Sequence, residues 1–155
     1  MLKYPLNKYD EAGRLKPPIL AYIFLLFVCR GLLILIVSLS FREDSERLLR
    51  TFYPEPYHFY LALLPILPAM IALSIISRRN SLWKSENFKW FSSLVLLGCV
   101  ALIIDVIVQF YILNQMKFNF SLSHGLSILI GITGLTYWLR STYVNNLIAD
   151  WKAPN

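Results

Sequence analysis

Four apolar runs, each of about 20 residues, dominate the chain, and short polar segments holding nearly all of its charge separate them. The first runs from about Ile19 to Ser40 and the second from Tyr57 to Ser77. The third runs from about Phe91 to Leu113 and the fourth from about Phe118 to Leu139. The second and fourth contain no Asp, Glu, Lys or Arg. This pattern predicts an all-α, polytopic membrane protein: four transmembrane helices in a bundle forming a single membrane domain over residues 1–155, with tails at 1–18 and 140–155.

Arg30 and Asp105 interrupt the first and third runs. A charge near a helix centre costs about 2.5–3.5 kcal/mol on the insertion scale, and each Leu, Ile, Phe or Val returns about 0.3–0.6. Each run holds 15 such residues, so the apolar sum outweighs the charge and both segments insert.

Loop charge sets an expected orientation. The N-terminal segment carries Lys3, Lys8, Arg14 and Lys16, the second loop Arg78, Arg79, Lys84 and Lys89, and the C-terminal tail Arg140 and Lys152. Those are ten cations on one side. Arg42, Arg47, Arg50 and Lys117 make four on the other. The positive-inside rule then puts both termini in the cytoplasm. Composition agrees: 57% of residues are apolar and 15% charged, and the net charge of +6 suits anionic headgroups without a nucleic-acid partner.

Smaller features refine the bundle. Asp10 and Gly13 suit a turn, and Pro17-Pro18 opens the first helix. Asp10, Gly13 and Lys16 read as lipid or partner contacts on a basic juxtamembrane segment. Leu48, Leu49 and Phe52 predict a short interfacial helix in the first outer loop. Pro65 and Pro68 predict a kink in the second span. Trp83, Trp90, Tyr137 and Trp138 are placed as an aromatic belt on the inner side. Ser123, Ser127 and Gly131 repeat every four residues, a stripe that admits a close helix neighbour within the chain or between copies. Val144, Leu147, Ile148 and Trp151 give the tail an amphipathic helix, expected to lie on the inner membrane surface. Cys29 and Cys99 fall inside spans and read as small packing residues.

Charged side chains inside a membrane need partners. Arg30 lies about 11 residues into the first span and Asp105 about 14 into the third; at about 1.5 Å per residue they differ in depth by about 5 Å. They are therefore expected to pair. Gln109 shares a face with Asp105, and His124 enters the fourth span near the depth of Gln109, so Asp105, Gln109 and His124 form a candidate polar track opening outward, with His58 at the outer mouth of the second span. The pair reads as a structural tie between helices, a proton or solute path, or a contact to another subunit.

Tyr9-Asp10, Gly13, Leu15-Lys16 and Pro18, the arginine in the first span and Phe52-Tyr53-Pro54 resemble the YfeZ-like family. These are short bacterial inner-membrane proteins classed as a domain of unknown function. The resemblance implies a Gram-negative inner membrane and carries over no activity, cofactor or catalytic residue.

Enzyme motifs do not occur: no nucleophile elbow, HExxH pair, paired inward carboxylates or Gly-rich phosphate loop. The sequence thus predicts no enzyme, no cofactor and no metal. Its expected role is a structural or accessory inner-membrane protein that assembles in the bilayer with itself or another membrane protein. The alternative is a minimal proton-coupled transporter or channel using Arg30, Asp105, Gln109 and His124.

Overall fold

Prolines set where the first helix starts: Pro18 is extended, at φ −69° and ψ 140°, and its carbonyl accepts the first helical N–H, from Ala21. From there the computed structural model, which describes residues 4–11, 13–40, 47, 53, 55–84, 89–115 and 122–152, is built of helices. In chain order they are α1 (Ile19–Val28), α2 (Arg30–Ser40), α3 (Pro56–Leu63), α4 (Ile66–Ser77), α5 (Arg79–Lys84), α6 (Lys89–Gln115), α7 (Leu122–Arg140) and α8 (Thr142–Lys152). No strand occurs among the described residues, only an isolated bridge between Tyr9 and Leu15. The expected outer-loop helix and the stretch holding Lys117 lie outside the described residues, apart from Arg47.

Among the described residues, two helices are long and apolar enough to cross a membrane: Pro56–Ser77, which joins α3 and α4, and α6. The pair α1 and α2 is a third if its two halves form one span, since they meet at a 60° bend. The uniform apolar run of 19–40 gave no hint of that bend. It falls at Cys29, just where the run meets Arg30 and Gly31. Gly31 lies against the Ala62 carbonyl and the Tyr53 hydroxyl, where an added Cβ would sit 3.4 Å and 3.6 Å away.

The second span is interrupted at Leu64 and Pro65. Pro65 has no N–H, and the Leu61 carbonyl is taken by Leu64 instead, at 3.1 Å. Pro68 breaks nothing. It is the third residue of α4, where the missing N–H has no intrahelical partner to lose.

At 27 residues, α6 extends about 40 Å and is the axis of the molecule, touched by α1, α3, α4, α7 and α8. Leu94, Cys99, Ala101, Leu102 and Val108 face the interior. Leu96, Ile107 and Phe110 face outward and are more than half exposed, as are Ile19, Leu67 and Leu129 on other helices. A helix that is apolar on both its packed and its open faces is suited to lipid on the open one. Close approach of α7 needs glycine. A Cβ on Gly131 would meet Val106 at 2.6 Å, and one on Gly134 would meet Phe24 at 2.8 Å.

Two expectations for the aromatic and amphipathic residues change. Trp138 is not part of an interfacial belt: it is 1% exposed and its ring lies over Gly98 of α6, where an added Cβ would be 3.0 Å away. Nor is the apolar face of the tail helix open to lipid. Val144, Leu147, Ile148 and Trp151 are buried inside the chain, with Trp151 edge-on to Phe91 at 5.2 Å. Burial against protein wins because the N-terminal segment presents hydrogen-bonding partners that lipid lacks.

Candidate functional site

The bend between α1 and α2 positions the candidate site. Arg30, the first residue of α2, sends its guanidinium toward α6 and donates both arms to Asp105, Nη1 to Oδ2 at 3.1 Å and Nη2 to Oδ1 at 2.8 Å. Nη1 also donates to the Phe27 carbonyl at 3.0 Å, at the end of α1, and the guanidinium lies over the Phe27 ring, 4.4 Å from its centre. One side chain therefore ties the broken helix end, an aromatic face and a carboxylate together. Two-armed arginine–carboxylate contacts are among the strongest a protein makes, and planar geometry is what lysine lacks. Asp105 is 2% exposed, whereas the Arg30 side chain is 21% exposed. The charge is sealed behind its counter-ion.

One turn further along α6, Gln109 is also buried, and its Oε1 lies 2.7 Å from Nδ1 of His124 on α7. An amide oxygen only accepts, so in this arrangement Nδ1 carries the proton and Nε2 of a neutral ring is left to accept. The structure thus brings Arg30 to Asp105 and Gln109 to His124. His58 sits apart: it is buried rather than at an open mouth, its Nε2 lies 3.9 Å from Glu55, and its Nδ1 has no partner among the described residues.

Beside these groups lies a cleft of about 310 Å³, lined by Phe27, Arg30, Ile34, Tyr53, Gln109, His124, Leu126, Ser127 and Ile130. That is at the small end of ligand-binding cavities. Irregular backbone at membrane depth is tolerated where it lines such a cavity, which is where the α1–α2 bend falls. Tyr53 is the residue that periodicity missed here. It precedes the second run, but it is 6% exposed and reaches back to Gly31.

The small-residue stripe divides. Gly131 meets Val106 within the chain, Ser127 is buried and lines the cleft, and the Ser123 side chain lies outside the described residues. Asp10, Gly13 and Lys16 form a closed turn. Asp10 Oδ1 accepts from the Arg14 N–H at 2.9 Å, Gly13 adopts φ +74°, and the Lys16 carbonyl accepts from the Tyr143 hydroxyl at 2.8 Å. No group of three or more potential metal ligands occurs among the described residues.

Residues 4–150 match the family described as Protein of unknown function (DUF2919). The chain belongs to that family. It is also 34% identical over 95 residues to the inner membrane protein YfeZ of Escherichia coli (strain K12), an alignment that covers 61% of this chain and 62% of YfeZ. No solved structure matches the chain. The DUF2919 match spans the N-terminal turn, α1, α2, α6 and most of α8, so Leu15, Asp150 and the Arg30–Asp105 pair fall inside one family domain, and Trp151 lies just past its end.

Proposed function

We propose that this DUF2919 protein is a structural or accessory component of the bacterial inner membrane, without catalytic chemistry of its own, that assembles with itself or with another membrane protein. It crosses the bilayer four times, α7 being the fourth span, with both termini cytoplasmic. At 19 residues α7 extends about 28 Å, close to the hydrocarbon thickness of about 30 Å. Mutual binding of the N-terminal segment and α8 supports termini on one side, and the ten-to-four division of loop cations supports that side being the cytoplasm.

The observation that carries the structural reading is the two-armed Arg30–Asp105 contact, in which each carboxylate oxygen already accepts from the guanidinium. A carboxylate so held stays put, which suits a latch between the bent span and α6. Because Gly131 is used against Val106, a partner would dock on other surfaces than the stripe.

A second reading, a minimal proton-coupled transporter or channel, is favoured by the cleft beside Arg30, Gln109 and His124. Two variants separate the readings. As a latch, Asp105→Asn lowers the melting temperature and cellular abundance, and Arg30→Leu combined with Asp105→Leu recovers much of both. Wild-type stability of Asp105→Asn together with loss of proton flux in liposomes would replace the structural reading with transport. Crosslinking and co-purification from native membranes then tests for a companion.

A further inference from the structure

Where the first span begins and α4 ends, four cations converge on one open pocket of about 480 Å³: Arg14 and Lys16 from the N-terminal turn, Arg79 and Lys84 from α5. Asp10 and Glu11 also line it, leaving two positive charges in excess (four cations against two anions). Asp10 is already engaged, since its Oδ2 accepts from Arg79 at 3.4 Å and its Oδ1 from the Arg14 backbone. Arg14, Lys16 and Lys84 therefore face a single exposed counter-charge, Glu11.

Arg14 is set apart from an ordinary surface arginine. Its guanidinium stacks on Trp83, 3.6 Å from the ring centre, and so is fixed in place. Its Nε is buried and has no hydrogen-bond partner among the described residues. A buried donor left unsatisfied is a demand for an acceptor. Planar donors held beside two mobile ammonium groups match the tetrahedral oxygens of a phosphate. The pocket adjoins Pro17-Pro18, where α1 begins, and Arg79, two residues past the end of α4. It therefore lies at headgroup level.

We propose that this pocket binds the phosphodiester headgroup of an anionic membrane phospholipid, with Arg14 as the fixed donor and Lys16 and Lys84 closing on the phosphate. Basic pockets between helices at the cytoplasmic surface recognise anionic headgroups in this way. The inference rests on membrane placement and is independent of what the Arg30–Asp105 pair does. A lipid so bound would brace the N-terminal turn against α5.

The test uses the full chain in mild detergent, titrated with phosphatidylglycerol, with phosphatidylethanolamine of the same acyl chains, or with soluble glycerol 3-phosphate. Thermal unfolding and native mass spectrometry are the readouts. Phosphatidylglycerol raises the melting midpoint and remains bound, and the other two do so weakly. Lys16→Gln and Lys84→Gln, both exposed side chains whose loss leaves the fold intact, each weaken binding about fivefold. Lys152→Gln, an exposed cation outside the pocket, leaves binding unchanged. Equal response to the two lipids, or equal weakening by Lys152→Gln and Lys84→Gln, overturns the site in favour of diffuse charge. A full effect from glycerol 3-phosphate overturns the lipid assignment in favour of a soluble anion.

Discussion

Trp151 donates its indole N–H to the carbonyl oxygen of Leu15, 136 residues away in sequence, at 3.0 Å. Both residues are buried, and on the same backbone unit the Leu15 N–H donates to the Asp150 carboxylate at 2.8 Å. The last helix thus satisfies both polar groups of one residue in the N-terminal segment. A buried amide stripped of its partners is penalised by about 1–3 kcal/mol, so α8 holds the turn at 9–16 in register as well as covering it.

Trp151→Ala should therefore be among the most damaging single changes at this end of the molecule, destabilising by about 3–5 kcal/mol as large-to-small core changes do. Trp151→Phe keeps most of the packing on Phe91 and loses only the indole donor, for a cost of about 1 kcal/mol. Thermal melts in detergent rank the two. Limited trypsinolysis gives an independent measure, because cleavage of the Arg14–Leu15 bond should accelerate only when the turn is released.

Arg30→Lys tests the fork as opposed to the charge. An ammonium cannot reach both carboxylate oxygens and the Phe27 carbonyl together, so the three contacts fall to one or two. Removing one partner of a buried pair costs about 3–5 kcal/mol, and a charge-conserving change should cost less than that while remaining measurable. A melting temperature for Arg30→Lys equal to that of the wild type means the charge alone suffices.

Close approach of α6 and α7 makes a prediction about glycine. Gly131→Ala puts a methyl 2.6 Å from Val106 Cγ2 and should destabilise by about 1–3 kcal/mol, the range for overpacking. Val106→Ala removes the obstructing methyl, so the double variant should regain part of the loss. Gly125→Ala, with open space around its would-be methyl, is the control and should be nearly neutral. Loss of the same size at both glycines would point to backbone freedom instead of contact.

Helix content and the Arg30–Asp105 contact were legible because simple rules govern long apolar runs. An apolar run of bilayer length is a span, and a charge within it needs a partner at its own depth. Matching depths led to Arg30 with Asp105 and placed His124 near Gln109 in one polar track, where the structure has two separate contacts. That logic did not reach the bend at Cys29, because a bent and a straight span have the same apolar composition, and the signal lay in Gly31 meeting Ala62 and Tyr53. The destination of α8 was hidden for a related reason. An amphipathic face reads identically whether lipid or protein covers it, and only the Leu15–Asp150 and Leu15–Trp151 contacts decide between them. Trp138 was misplaced because an aromatic near a span end is usually interfacial, whereas here Gly98 opens a seat for it in the core.

Thiol chemistry reports directly on whether Arg30 holds the bend closed. Cys29 and Cys99 are both buried, at 4% and 8% exposure, and both carry free thiols. Cys29 sits at the break between α1 and α2, directly before Arg30, whereas Cys99 lies within the unbroken helix α6, six residues before Asp105. A buried thiol reacts only through local opening, so its labelling rate measures the free energy of that opening. In the wild type both should react slowly with a membrane-permeable maleimide. Asp105→Asn releases the guanidinium and should raise the Cys29 rate by about tenfold or more, since each 1.4 kcal/mol of lost restraint is a factor of ten, while Cys99 stays slow. If both cysteines accelerate together, the pair supports the whole fold and not the bend. If neither does, the restraint on the bend comes from elsewhere than the Arg30–Asp105 pair.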